Sequence, residues 1–86
     1  MRFQKGDDVL ICTTERITSG RIEMISRDEV SAILVFDGMV MGHVGMMPVM
    51  RHDKAHSVYR SIIDGTSVIL RHTAAKQEGE DSGERT

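Results

Sequence analysis

One cysteine, one proline, no tryptophan and only three aromatic residues are found among 86 positions. Each scarcity excludes something. Cys12 alone cannot make an internal disulfide, and a secreted domain of this size usually carries an even set of cysteines. A reducing compartment is therefore expected, and the cytoplasm is the simplest one. The opening "MRFQKGDDV" has no apolar stretch of the kind that forms a secretory leader. No apolar run approaches the ~20 residues that span a bilayer as a helix. Phe3, Phe36 and Tyr59 are too few for a base-stacking platform.

Charge of one sign is also lacking. The formal net charge is −2. The segment 74–86 supplies all of it, with Lys76 and Arg85 against Glu78, Glu80, Asp81 and Glu84. Residues 1–73 balance nine basic against nine acidic side chains, a poor footprint for phosphate backbones. The expected organisation is one domain over 1–73 and a polar, disordered tail over 74–86. A chain this short buries only roughly 60% of its unfolded surface.

Strand signals dominate what is present. "KGDDVLICTT" turns at Gly6-Asp7 and enters an apolar run, Val9 to Cys12. "ITSGRIEMIS" sets Ile22 and Met24 against Arg21 and Glu23. "RDEV" reads as a turn and "EVSAILVF" as a strand. Asp37-Gly38 lies between apolar runs and predicts a two-residue hairpin. "MVMGHV" would be its returning arm, and Pro48 an edge or the strand's end. Asp53 would cap a short helix from Lys54 to Ile63, in which Val58/Ile62 and Tyr59/Ile63 fall four apart, with Gly65 ending it. "TSVILRH" is the last strand.

The expected fold is mostly β, a five-stranded barrel with one short helix before the last strand. The opening "GDDV", Gly20, the "DG" at 37–38 and the excursion before "GTSVIL" resemble the generic SH3-like small barrel over residues 5–73. That resemblance implies a fold and no activity. An OB-like barrel is the alternative.

Alternation in "VSAILVF" puts Val30, Ala32, Leu34 and Phe36 on one face, and Ser31, Ile33 and Val35 on the other. Both faces are largely apolar, so the central hairpin needs cover on two sides. Five of the seven methionines lie in "MVMGHVGMMPVM", where they suit a deformable apolar surface. The candidate interaction surface is Ile33, Val35, Met39, Met41, Met46 and Met47. Val40 and Val44 are expected inside. A second copy is the preferred cover, most simply in a C2 dimer.

Several residues admit chemistry as well as packing. Met39, Met41 and His43 on one strand face would be a soft-metal set, resembling that of small copper-carrying barrels. His52 and His56 lie four apart, as ligands on a helix can. Cys12 would need His43 or His72 beside it to act as a nucleophile. Gly42 and Gly45 lack the pattern of a phosphate loop and read as glycines that permit tight strand curvature or a bulge. Arg51, Lys54 and Arg60 form a basic patch. The tetrameric dihydrofolate reductases of SH3-like fold carry a Gln-Ile-Tyr triplet that is absent here.

The leading expectation is a non-enzymatic interaction domain that self-associates through its Met-rich hairpin, needing no cofactor. A nucleic-acid-associated accessory domain is the second reading. A small-molecule or soft-metal binder at a subunit interface is the third.

Overall fold

Alternation of apolar and polar residues along most of the chain produces six strands in the computed structural model, which describes residues 3–53 and 55–73. They are β1 (Asp8–Cys12), β2 (Ile17–Ile25), β3 (Ser31–Val40), β4 (His43–Asp53), β5 (Val58–Ser61) and β6 (Ser67–His72). Each strand pairs antiparallel with the next, and β6 pairs antiparallel with β1 to close a barrel. The small-barrel resemblance holds at this level. A meander is not the Greek-key path of an OB barrel, which removes that alternative.

Two details of the expected fold are corrected. There are six strands instead of five, and no helix occurs among the described residues. The segment read as a helix contains β5, where Val58, Tyr59, Arg60 and Ser61 alternate in burial with period two. Tertiary pairing outweighs the four-residue spacing, because Tyr59 lies between Arg51 of β4 and Val68 of β6. Asp53 does cap, but it caps a tight turn. Its carboxylate accepts the Ala55 amide at 2.9 Å and the His56 ring N–H at 3.0 Å. Gly65, at φ 77°, ends a single turn closed by its amide donating to the Ser61 carbonyl. The expectation for 74–86 lies outside the described residues.

Pro48 stands inside β4 instead of ending it. It is paired with Ile33 of β3, while its carbonyl accepts the Ile62 amide just past the end of β5. A residue's N and C=O point to the same side of a strand. The missing N–H therefore faces a place where β5 has already stopped, so the position is locally an edge.

The core fills the barrel from every strand: Val9 and Ile11, Ile22, Ala32 with Leu34 and Phe36, Met47 with Val49, Tyr59, and Val68 with Leu70. Gly20 is required by close approach. A β-carbon there would meet Ile11 Cδ1 and the Val35 carbonyl oxygen, each at 2.7 Å. A bulge at Glu23 breaks the register of β2, so Ile22 points inward while Met24 turns outward.

Polar groups close the barrel at its ends. Arg51 Nη2 donates to Glu29 Oε1 and to the Tyr59 hydroxyl oxygen, both at 3.3 Å. The guanidinium also sits 5.6 Å from the centre of the Tyr59 ring, within cation–π range. Glu29 reaches this position from a turn in which its own φ is 62°, unfavourable for a residue with a β-carbon. Beside the start of β1, Phe3 stacks on His72 with ring centroids 4.5 Å apart. The His72 ring N–H donates to Asp7 at 3.3 Å.

Candidate interaction surface

The β3–β4 hairpin turns at Met41-Gly42, not at Asp37-Gly38. Met41 (φ 48°) and Gly42 (φ 87°) both take positive φ, as a type I′ turn requires, and Val40 pairs with His43 across it. Asp37 and Gly38 lie within β3, in the irregular stretch between Val35 and Met39. Gly45, opposite that stretch, also has positive φ, in keeping with a bulge glycine.

Moving the turn reassigns the faces. Val40 is buried as expected, but Val44 is 71% exposed and pairs outward with Met39. His43 points inward instead, and its Nε2–H donates to Asp64 Oδ2 at 3.1 Å. Met41 packs partly against the core. The three residues of the soft-metal set thus diverge: one outward, one in the turn, one inward.

The outward side of β4 carries Val44, Met46, Pro48 and Met50 in succession, alternating with His43, Met47, Val49 and Arg51 on the inner side. Across the ladder, Met39 pairs with Val44, Val35 with Met46, Ile33 with Pro48 and Ser31 with Met50. On the flanks, Met24 of β2 pairs with Ile33, and Ile62 follows β5 beside Pro48. Met24, Ile33, Pro48 and Ile62 line one shallow groove of about 360 Å³. The result is an apolar ribbon four rungs long, roughly 20 Å by strand rise. None of those eight cross-paired positions carries a charge. Charged side chains stand around it: the Arg21–Glu23 ion pair (3.7 Å) on β2, Arg60 on β5 and Asp37 in the β3 irregularity.

Of the six candidate residues, Ile33, Val35 and Met46 come together at the centre of this ribbon, and Met39 stands at its end. Met41 belongs to the turn. Met47 is fully buried and belongs to the core. Sequence reasoning missed Met24, Val44, Pro48, Met50 and Ile62. The alternation of "VGMMPVM" from Val44 would have found three of them, had the turn been placed at Met41-Gly42.

The remaining candidates do not assemble. Arg51 is engaged by Glu29, with side-chain exposures of 13% and 10%, and so leaves the expected basic patch; Lys54 lies outside the described residues. His56 is held by Asp53 in a turn, not on a helix with His52. Cys12 borders a cleft with Thr13, Thr14, Val58, Ser67 and Ile69, in which neither His43 nor His72 takes part.

Asp64 ties the β5–β6 turn to the hairpin. The Thr66 backbone N–H and hydroxyl, then His43 and Ser61, hold its carboxyl well below the usual carboxylate range, against the opposing effect of burial. A depressed folded-state value means that this stabilisation is present above the unfolded value near pH 4 and is lost as pH falls towards the folded one. Asp64→Asn should lower the melting temperature at neutral pH, and the gap from wild type should narrow below about pH 4. A gap that stays constant through acid titration would count against this role.

No family model, no curated protein and no solved structure matches this chain.

Proposed function

We propose that this protein is a non-enzymatic interaction domain that self-associates through the outward ribbon of β3 and β4, forming a two-fold dimer in the cytoplasm. The single observation behind this reading is the uncharged run of rungs from Met39/Val44 to Ser31/Met50, flanked by Met24 and Ile62. The two cross-paired strands, spaced at about 4.8 Å and roughly 20 Å long, cover about 200 Å², which Met24 and Ile62 widen at the flanks. Patches of that size are often functional on small proteins. An apolar centre with a charged rim is the anatomy of a protein interface.

A second copy suits the ribbon for an electrostatic reason. Asp37 lies towards one end, and Arg60 flanks Met50 at the other. An antiparallel two-fold brings Asp37 of each copy towards Arg60 of its partner. Methionines adapt to such a contact without demanding one exact shape. The small apolar centre favours weak association, in the micromolar range.

Ile33→Lys puts a charge at the centre of the ribbon. It should weaken association about tenfold or more while leaving the core untouched. Sedimentation equilibrium at about 50 µM would then show dimer for the wild type and monomer for the variant. A wild-type monomer throughout that range would overturn the reading.

A further inference from the structure

We propose that Met24, Met39, Met46 and Met50 form an oxidant-modified site, and that their sulfoxidation disperses the self-association described above; this second half rests on that reading. The observation is a division among the methionines. These four are 56%, 59%, 45% and 47% exposed, whereas Met47 is 0% exposed although it follows Met46 directly in the chain. The four sit at apolar positions of the same outward surface. Met46 faces Val35, Met24 faces Ile33, Met39 faces Val44, and Met50 follows Pro48 on the outer side of β4.

The chemistry needs only a thioether and a hydroperoxide. The sulfur lone pair attacks the terminal peroxide oxygen, an S–O bond forms and the O–O bond breaks. The proton passes to the departing oxygen, which leaves as water from hydrogen peroxide or as an alcohol from an organic peroxide. Sulfur loses two electrons and the peroxide gains two. The rate follows access to sulfur, so the outward four react ahead of Met47. The product is a polar sulfoxide within an apolar contact, where it would be buried without a matched donor. Association and oxidation therefore oppose each other. A covered ribbon hides its sulfurs, and an oxidised ribbon resists being covered.

The test treats the full chain with hydrogen peroxide and reads it by peptide mass spectrometry and sedimentation equilibrium. Sulfoxide is expected at the four outward methionines before Met47, with slower reaction at higher protein concentration. The dimer dissociation constant should rise about tenfold or more and recover after methionine sulfoxide reductase treatment. The variant M24L/M39L/M46L/M50L lacks the four sulfurs, so whatever its own dimer dissociation constant is, peroxide treatment should leave that constant unchanged. Oxidation of Met47 as fast as Met46 would overturn the site. Unchanged association of chains carrying all four sulfoxides would overturn the dispersal. A wild type that is monomeric before treatment would instead overturn the dimer, and the dispersal with it, while the order of oxidation would still decide the site.

Discussion

Arg51→Ala is expected to destabilise the fold by about 3 kcal/mol, the largest effect of any single polar substitution in the barrel. The reason is what remains behind. Glu29 keeps only 10% of its side chain exposed and loses the guanidinium 3.3 Å from its carboxylate. The buried Tyr59 hydroxyl loses its donor, and the Tyr59 ring loses its cation. Glu29 also holds an unfavourable φ of 62°, a strain of order 1 kcal/mol that the ion pair helps to maintain. A domain of this length has a total stability of only about 4–10 kcal/mol. The melting temperature should fall by about 15 °C. Replacing both partners, in Glu29→Gln with Arg51→Met, should recover most of the loss, because the buried carboxylate is removed together with its guanidinium. Thermal unfolding followed by circular dichroism measures both. An Arg51→Ala variant melting within about 2 °C of wild type would show that the network carries no weight.

The second large effect separates two adjacent methionines. Met47→Ala empties a fully buried site among the core side chains and should cost about 3 kcal/mol, from lost transfer energy and the residual cavity. Met46→Ala removes a side chain from the outer face opposite Val35 and should change folding stability by less than about 0.5 kcal/mol. Its effect should fall on association instead. Urea unfolding at low protein concentration isolates the first quantity, and sedimentation the second. Equal stability losses for both variants would contradict the assignment of faces.

That contrast marks where the sequence was informative. The strands themselves were legible, because Val9–Cys12, Ser31–Phe36 and Ser67–His72 alternate or run apolar over a strand's length. The faces of β3 were legible too: Ala32, Leu34 and Phe36 are buried, and Ile33 and Val35 lie on the other side. The faces of β4 were not. They depend on where the turn falls, and Asp37-Gly38 carries the stronger local turn signal. Met41 takes a positive φ only because the barrel holds β3 and β4 in register around it. β5 was hidden for a similar reason, since four residues between two partners owe their conformation to those partners. The polar pairs that close the barrel ends join residues 22, 21 and 65 positions apart, Glu29–Arg51, His43–Asp64 and Asp7–His72. No local pattern encodes such pairs. The outward ribbon was half visible: its β3 side followed from alternation, while Met24 needed the Glu23 bulge.

Closing the ring with β1 against β6 has an architectural consequence. Val9 pairs with His72, and Phe3 stacks on that same histidine. The chain therefore enters and leaves the barrel side by side, at the end opposite the Met41-Gly42 tip. A unit with adjoining entry and exit points can be spliced into a surface turn of a host protein without forcing the host's backbone apart. Tethered in that way, it would project its hairpin tip away from the point of attachment, leaving the ribbon's far rung the most accessible part of the fusion.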